Sequence, residues 1–351
     1  MTAQRSAATD AEVRLLRARA QAIGGGVREA TAGAVVRRVF AVQSQDATAA
    51  MLGIRARGRG ITARAVRAAY EDERSVVRGW FMRGTLHTVP AGDVRWLLRL
   101  LGPRLLAGTA HRYRELGLDE RLRARSDRLL RDTLAAHGPL DLARLTEHLG
   151  ALGIATDGQA PFHLVRHAAL GGLLCHGPWR DGEPAFVLLD DWLPRQTDGP
   201  ERDTEGAVAE LARRYLRAYG PAEAADFAAW SGLPVTWARR AWSSVTAGGG
   251  TGQGGEAPGG ADVRLLPAYD NYLTGYGDRG LAVPAAHERR VWPGGGVIRA
   301  TVVVDGLAVG TWSRSARTGV GVDAFEELPA AVREGVGAEA DAVTRFLREA
   351  A

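Results

Sequence analysis

The short run from Gln43 to Asp46 contains the side chains whose spacing could do chemistry. Gln43 and Gln45 are two residues apart, and in an extended backbone such residues point to the same side of the chain, so both amides would face one way. The run follows an apolar pattern typical of a helix and precedes a second apolar stretch, Ala49 to Ile54. A Gln-x-Gln sequence in an arbitrary chain is more often solvated surface than a site, and both interpretations stay open on these residues alone.

An amide pair limits the reactions that this run could catalyse. Glutamine does not titrate near neutral pH, so it cannot serve as an ordinary general base. Its carbonyl oxygen can still orient a water molecule and stabilise developing positive charge, so the pair would act by positioning and electrostatics. Asp46 is a stronger base, but its place next to Gln45 points its carboxylate to the other side of an extended segment.

The common catalytic fingerprints are missing from the sequence. We find no Ser-His-Asp order, no HExxH helix and no GxGxxG turn between a strand and a helix. The single cysteine, Cys175, lies in the apolar run Leu173 to Cys175. No intramolecular disulfide is therefore possible, cysteine zinc sites are disfavoured, and a buried structural thiol is expected. We expect neither a metal nor an organic cofactor.

The chain is basic in an unusual way. Its formal charge is +5, its isoelectric point is near 9.8, and all 45 basic residues are arginine. Arginine binds phosphate groups bidentately, which favours a nucleic-acid partner, although a GC-rich genome that replaces lysine codons would explain the missing lysine equally well. No run of about 18 apolar residues and no apolar leader occurs, so we expect a cytoplasmic protein without a membrane partner.

The segment from Leu129 to Trp192 has the element order of a winged helix. A first helix should end at His137-Gly138-Pro139, since Gly caps helices and Pro stops them. Asp141 should cap a second helix, and a third is predicted over 161–170. Two apolar runs separated by turn-forming residues, 172–176 and 185–189, then predict the strands of the wing.

A similar order recurs later in the chain. After an acidic linker, 198–205, helices are predicted over 206–219, 223–230 and 234–245, with a Gly-Pro step between the first two. The N-terminal third could be a more divergent copy. It has helical patterns at 13–21, 32–42, 62–70 and 93–101 and a strand pattern at 85–89.

The remaining segments complete a division of the chain into three modules. The Gly-rich stretch 248–260 predicts a flexible insertion, and 297–304 with 307–312 predicts a hairpin joined by an Asp-Gly turn. A closing helix is predicted over 338–351. We divide the chain into residues 1–120 with the Gln-x-Gln run, 121–197 as a second winged helix, and 198–351 as a third with a β-rich element.

Several phrases occur in the order that is typical of the AlkZ-like bacterial DNA glycosylases, and together they span most of the chain. The phrases are Gln43-Ser44-Gln45-Asp46, Met82-Arg83-Gly84-Thr85-Leu86-His87, Tyr219-Gly220-Pro221, Trp230-Ser231-Gly232-Leu233, Leu265-Leu266-Pro267-Ala268-Tyr269-Asp270, Gly275-Tyr276-Gly277-Asp278-Arg279 and Gly310-Thr311-Trp312.

The resemblance implies a fold and a site. The implied fold is α+β, mainly helical, with tandem winged-helix modules in a C-shape and a C-terminal β-hairpin or barrel element. Gln43 and Gln45 match the catalytic Gln-x-Gln motif, while Ser44 stands where the family has an apolar residue. This variant of the motif resembles family members that protect antibiotic producers from their own DNA-alkylating product, so self-resistance is expected.

The implied reaction suits an amide pair. An N7-alkylated guanine already carries positive charge, so it leaves without protonation through a transition state like an oxocarbenium ion. We therefore expect a monofunctional glycosylase, since a lyase needs an amine nucleophile, the chain has no lysine, and only the terminal amine could substitute. The expected partner is double-stranded DNA with an alkylated purine, bound by a monomer. The alternative is a non-enzymatic winged-helix regulator or drug-sequestering protein with the same basic modules.

Other residues are candidates for binding DNA or the lesion. Phosphate contacts are expected from the arginines that follow the Gln-x-Gln run, and the hairpin with Arg299 is a candidate groove probe, although a plain packed hairpin is the favoured interpretation. Each candidate in the matched phrases could either contact the lesion or have a purely structural role, and both alternatives stay open. The candidates in chain order are Arg55, Arg57, Arg59, Arg64, Arg83, His87, Asp270, Tyr272, Arg279 and Arg299. The tryptophans Trp80, Trp96, Trp230 and Trp237 are predicted to lie in the core.

Overall fold

The computed structural model describes residues 9–180, 182–194, 202–247, 261–315 and 319–350. The predicted insertion 248–260 and residues 198–201 of the predicted acidic linker lie outside the described residues. The chain forms two compact units. Unit 1 comprises Met1–Val66 and Ala209–Ala351, and unit 2 comprises Arg67–Val208.

The fold is mixed α+β and mainly helical, as expected. In chain order the helices are α1 (Asp10–Ala20), α2 (Ala32–Val39), α3 (Ala47–Arg57), α4 (Ala63–Glu71), α5 (Val94–Gly108), α6 (Ala110–Glu115), α7 (Glu120–His137), α8 (Leu142–Leu149), α9 (Ala160–Leu170), α10 (Leu189–Trp192), α11 (Thr204–Tyr219), α12 (Ala224–Ser231), α13 (Val235–Thr246), α14 (Asn271–Thr274), α15 (Glu288–Val291) and α16 (Ala330–Ala350). The strands are β1 (Val42–Gln43), β2 (Val76–Trp80), β3 (Leu86–Pro90), β4 (Leu174–Arg180), β5 (Glu183–Leu188), β6 (Val263–Leu266), β7 (Thr301–Val304), β8 (Leu307–Ser315) and β9 (Gly319–Ala324).

Unit 2 contains the winged helix that the sequence predicts. Helices α7, α8 and α9 are followed by the antiparallel pair β4–β5. Asp141 caps α8 by accepting a hydrogen bond from the Arg144 amide, and Gly138 ends α7 with a φ of 72°. Leu140 pairs with Phe186 through two backbone hydrogen bonds of 3.2 and 2.7 Å, so the helical turn is joined to the wing.

The core of unit 2 forms where these helices meet the wing. Leu130, Leu145 and Val165 are fully buried there, and Trp80 stacks on Phe186 with ring centroids 6.3 Å apart. Cys175 is buried on β4, and burial raises the pKa of its thiol to about 12. The prediction of a buried structural thiol is confirmed.

Unit 1 contains a four-stranded antiparallel sheet in the order β6-β7-β8-β9. The predicted hairpin is confirmed as β7–β8. Its turn residues Asp305 and Gly306 have φ angles of 49° and 81°, as a tight two-residue hairpin turn requires. We expected either a β-hairpin or a barrel in this part of the chain. The described strands form an open sheet that contains the hairpin.

Helix α16 packs against this sheet and begins at Ala330, so the predicted start at residue 338 was wrong. Gly335 and Gly337 lower the helix propensity of its first turns. A Cβ atom at Gly335 would lie 2.8 Å from the side chain of Val263 on β6, and Val336 is buried. Tertiary packing on the sheet, which the local pattern does not contain, therefore forms these first turns.

Unit 1 also contains the helices that the sequence predicts after the acidic linker. They are α12, α13 and the part of α11 from Ala209 onward. The aromatic side chains of Tyr215, Tyr219 and Phe227 are fully buried here, and Trp230 is nearly so. Three of the four tryptophans predicted in the core are buried, at 2 to 6% exposure. Trp237 is 38% exposed, so that prediction was wrong, because α13 presents this position to solvent.

The two units divide the chain differently from the three predicted modules. Residues 1–66 group with the C-terminal part of the chain, and the module boundary at residue 121 lies inside unit 2. The modules 1–120, 121–197 and 198–351 stay a prediction. Within the described residues, no helix combines the length and apolarity that crossing a bilayer requires.

Candidate active site

The Gln-x-Gln run lies at the surface of unit 1 between strand β1 and helix α3. Ser44 is fully buried, whereas Gln43 is half-buried and Gln45 is exposed. The amide of Gln43 donates a hydrogen bond through Nε2 to Oε1 of Gln45. The two amides therefore meet on one side of the chain, as the spacing of the residues predicts.

The contact between the two amides orients their remaining polar atoms. Each amide oxygen has two acceptor positions, so the bond from Gln43 occupies one of those on Gln45 Oε1. The bond joins the two amides into one polar group at the surface. Such a group can accept hydrogen bonds from a water molecule and lie against a developing positive charge.

Ser44 is accommodated although the family has an apolar residue at this position. Its hydroxyl donates to the carbonyl oxygen of Val42 at 3.0 Å. A buried hydroxyl costs little free energy when it is hydrogen-bonded, so the serine can occupy an apolar position. The neighbouring side chains of Ala41 and Val42 are buried and fix the start of the run.

Asp46 has a structural role in this arrangement. Its carboxylate accepts a hydrogen bond of 2.8 Å from the Ala49 amide and caps the N-terminus of α3. Asn, Asp and Ser side chains stabilise helix starts in this way. The cap fixes the position at which the chain leaves Gln45 and enters α3.

The other end of α3 is held by a buried network around Arg57 and Asp270. Arg57 is fully buried and donates to the two carboxylate oxygens of Asp270 at 2.8 and 2.7 Å. It also donates to the Gly53 carbonyl oxygen at 2.9 Å and to Gln21 Oε1 at 3.2 Å. Asn271 donates to the same oxygen of Gln21. This network ties α3 to the segment after β6.

Four of the residues predicted to contact DNA or the lesion form hydrogen bonds inside the protein. Arg57 and Asp270 pair with one another, and Arg55 forms a bidentate pair with Glu339 at 3.0 and 3.2 Å. Tyr272 is buried and donates to the Gly306 carbonyl oxygen at 2.9 Å. These polar atoms are paired within unit 1, and contacts of the four residues with DNA or the lesion stay a prediction. Gln21 and Glu339 were missed, since no local pattern marks a buried polar partner distant in sequence.

Two further candidates of unit 1 are exposed. The guanidinium of Arg279 lies over the ring of Trp292, 5.1 Å from its centroid. Arg299 donates to the carbonyl oxygen of Arg290 at 3.3 Å and remains exposed. Both side chains can still meet a phosphate, so their DNA contacts stay a prediction.

The matched phrase of unit 2 contains one exposed and one buried candidate. Arg83 is exposed with a left-handed φ of 56°, whereas only 1% of His87 is exposed. Nδ1 of His87 lies 3.0 Å from the carbonyl oxygen of Thr85, so it carries the proton of the neutral ring. Burial, assisted by the charge of Arg83, lowers the pKa of His87 to about 3. The structure therefore supports a structural role for this histidine.

The buried His87 should make unfolding dependent on pH. Its folded pKa of about 3 is below the ordinary value of 6.5, so the unfolded state binds the proton more tightly. The stability is complete above pH 6.5 and falls as the pH drops towards 3. Between pH 8 and pH 5 we expect a loss of about 2 kcal/mol from this residue. Urea unfolding at both pH values measures it.

The matched variants for this prediction are His87→Gln and His111→Gln. The first should reduce the pH dependence of the unfolding free energy. The second removes a histidine whose side chain is 76% exposed and should leave the dependence unchanged. Equal pH dependence in wild type and His87→Gln would contradict the prediction. His176 is also buried with a lowered pKa, so part of the dependence should remain.

The Gln-x-Gln run itself consists of two amides, a hydroxyl and a carboxylate. Among the described residues, no three or more His, Cys, Asp or Glu side chains are placed to hold a metal ion together. The one charged side chain of the run, Asp46, is exposed and caps the start of α3.

Comparisons with known proteins agree on one family. The family model described as DNA glycosylase AlkZ-like matches residues 36–346. An interstrand DNA cross-link repair glycosylase from Streptomyces sahachiroi is 26% identical over 313 residues, 79% of this chain and 81% of that protein. The solved structure of the DNA glycosylase AlkZ from the same organism has a TM-score of 0.75 and 23% identity, covering 97% of this chain and 98% of that one, and so has the same fold. The chain belongs to the AlkZ-like DNA glycosylase family.

Proposed function

We propose that this DNA glycosylase hydrolyses the N-glycosidic bond of bulky or crosslinked N7-alkylguanine lesions. Gln43 and Gln45 are the catalytic residues of the proposal, and the physiological role is self-resistance to a DNA-alkylating natural product. The partner is double-stranded DNA that carries the alkylated purine, bound by a monomer in the cytoplasm.

The amide pair is the observation that carries the proposal. Gln43 and Gln45 contact one another at the surface on either side of a fully buried residue. Their backbone is fixed by the buried Ser44 and by the Asp46 cap of α3. Two amides held in this way match a substrate whose leaving group needs no proton.

The chemistry follows from the charge of the lesion. Alkylation at N7 places a positive charge on guanine, so the base leaves with the bonding electron pair and becomes neutral. The sugar then acquires oxocarbenium character, and water adds to C1′ and loses a proton to solvent. The amide oxygens orient that water and stabilise the positive charge on the sugar. Because the chain has no lysine, the product is an intact abasic site.

The crosslink specificity is supported by a relative. The glycosylase from Streptomyces sahachiroi that matches this chain is named for interstrand DNA cross-link repair. Full flipping of a bulky or crosslinked base is sterically difficult, so we propose that the lesion is recognised through the features that it exposes in the groove. Surface arginines are proposed to hold the duplex through its phosphates. They are Arg59, Arg64, Arg83, Arg279 and Arg299.

A panel of defined duplexes tests the function. The purified protein is incubated with duplexes that contain N7-methylguanine, a bulky N7-alkylguanine or an N7-linked interstrand crosslink, and abasic sites are detected by alkaline cleavage. We expect excision of the bulky or crosslinked lesion without strand cleavage before alkali treatment. Absence of excision from the whole panel would reject the proposed substrate class.

The self-resistance role has its own readout. Expression of the protein in a sensitive bacterium should increase survival during exposure to a bulky DNA-alkylating agent. Expression of the Gln43→Ala/Gln45→Ala variant at the same level provides the control. Equal survival with both proteins would contradict the proposed role.

A further inference from the structure

Helices α12 and α13 of unit 1 form a helix-turn-helix. Helix α12 ends at Ser231, Gly232 takes a left-handed φ of 73°, and α13 begins at Val235. The hydroxyl of Ser231 accepts a hydrogen bond of 3.2 Å from the Leu233 amide, which fixes the turn. In this motif the second helix is the one that enters the major groove of DNA.

One side of α13 is anchored in the aromatic core. Ala238 is fully buried and Ala241 nearly so. The ring of Trp242 stacks on Phe227 with centroids 6.1 Å apart and also lies 6.1 Å from the ring of Tyr215. The helix is therefore held firmly on one face, and its opposite face is presented in a fixed orientation.

The opposite face of α13 is solvent-exposed and contains no acidic residue. We call it the α13 outer face. Its exposed residues are Val235, Thr236, Trp237, Arg239, Arg240, Ser243, Ser244 and Thr246. Val235 is 50% exposed and Trp237 is 38% exposed, so the face presents apolar side chains beside its polar ones.

Helix α9 has the corresponding place in the winged helix of unit 2, and its surface differs from that of α13. Phe162 is its single exposed residue. Its arginine, Arg166, donates to Thr109 Oγ1 at 3.0 Å and to the Gly84 carbonyl oxygen at 3.4 Å. The two helix-turn-helix units therefore differ, and it is the helix in unit 1 that presents a face to a partner.

The composition of the α13 outer face fits duplex DNA. Arg239 and Arg240 provide two positive charges for phosphates or for the acceptor edge of guanine. Thr236 and Trp237 lie in the first turn, where a recognition helix approaches the base edges, and apolar groups there can contact thymine methyl groups. An apolar protein surface would suit Val235 and Trp237 but would supply no counter-charge for the two adjacent arginines, whereas the phosphates of a duplex supply one.

We propose that α13 is a recognition helix that binds the major groove of duplex DNA through its outer face. The inference rests on the proposed function only in that the substrate is double-stranded DNA. The helix contains none of the catalytic residues, so it contributes to affinity for damaged and undamaged DNA alike and leaves the chemical step unchanged.

The salt dependence of binding tests the proposal with the full-length protein. Affinity for an undamaged fluorescent duplex is measured by anisotropy over a series of salt concentrations. For Arg239→Gln/Arg240→Gln we expect an affinity about tenfold weaker. The slope of log affinity against log salt should also become smaller by about 0.9 for each phosphate that the variant no longer neutralises. Trp237→Ala should weaken binding with no change in slope, because tryptophan is uncharged.

Matched controls separate DNA binding from misfolding and from a general effect of charge. Arg333→Gln removes an exposed arginine of α16 that lies next to Glu334, and it should leave both affinity and slope unchanged. Circular dichroism and the thermal midpoint of each variant should equal those of wild type, since the substituted side chains are exposed. If the double arginine variant keeps the wild-type affinity and salt slope, the proposal is overturned. It is also overturned if the wild type is a dimer that Trp237→Ala converts to a monomer, because the α13 outer face would then bind a second copy of the chain.

Excision measurements distinguish this inference from the proposed function. At saturating enzyme, the single-turnover excision rate of the α13 variants should equal that of wild type. If the wild type excises none of the tested lesions while the α13 variants still lose duplex affinity, the substrate class is wrong and the recognition helix stands. If excision occurs and affinity is unaffected by the variants, the recognition helix is wrong.

Discussion

Replacement of both glutamines in Gln43→Ala/Gln45→Ala should abolish base excision and leave the affinity for duplex DNA close to that of wild type. The amides meet one another at the surface, and the backbone is fixed by groups that the substitutions do not change. Removal of one positioned polar group that stabilises transition-state charge typically lowers a rate by about 10²–10³-fold. Single-turnover excision of a bulky N7-alkylguanine measures the chemical step directly.

The single variants show whether the amides act together. Because Gln43 donates to Gln45, each substitution also removes a partner of the other amide. Residues that act as a unit have non-additive effects, so Gln43→Ala or Gln45→Ala alone should cost nearly as much as both together. Additive losses would show that the two amides contribute independently.

Ser44→Ala is the matched control within the same run. It retains both amides and replaces a buried hydroxyl with a small apolar side chain, which is closer to the family pattern. Excision should therefore be retained. Turnover in the double glutamine variant would reject the amide mechanism, and complete loss of excision in Ser44→Ala with normal folding would show that the amides are not sufficient.

Removal of one partner of the buried pair Arg57 and Asp270 should have the largest effect on stability. The side chains are 0% and 1% exposed, and the pair is bidentate. Asp270→Ala leaves a buried guanidinium without its counter-charge, which typically costs about 3–5 kcal/mol. Such a loss is a large part of the total stability of a protein. We expect a reduced free energy of unfolding in urea, monitored by tryptophan fluorescence.

Two comparisons identify the cause of that loss. Arg57→Met/Asp270→Leu replaces both charges with apolar side chains of similar size and should recover much of the stability, since a buried pair is costly to desolvate. Arg144→Ala removes a partner of Glu147 in a pair whose side chains are 65% and 64% exposed. Its effect should be within about 1 kcal/mol. A similarly small effect of Asp270→Ala would contradict the importance of burial.

Local sequence determined the elements whose signals are local. The Asp141 cap, the end of α7 at Gly138 and the Asp305-Gly306 turn each depend on the conformational preference of one or two residues. The order of helices and strands in the winged helix follows from such signals together with the apolar periodicity. The same spacing rule placed Gln43 and Gln45 on one side of the chain.

Partners distant in sequence determined where the side chains of the charged candidates Arg55 and Arg57 lie. Arginine is typical of DNA-binding surfaces, but Arg55 and Arg57 form ion pairs with Glu339 and Asp270 inside unit 1. The early start of α16 likewise depends on its contact with β6. No local pattern contains these partners. Glu339 and Asp270 are more than two hundred residues from the arginines that they bind, and β6 ends more than sixty residues before α16 begins.

The sequence by itself determined the family, the helix and strand order and the position of the amide pair, since short-range backbone preferences and ordered motifs are visible in one chain. The tertiary structure decided which polar side chains remain at the surface. It buried Arg57 and Asp270 and exposed Trp237, contrary to the usual preference of these residue types, and it also buried Tyr272 and His87. Burial is a property of the assembled core, and the free energy of a charged or aromatic side chain depends on the partners that the fold brings to it.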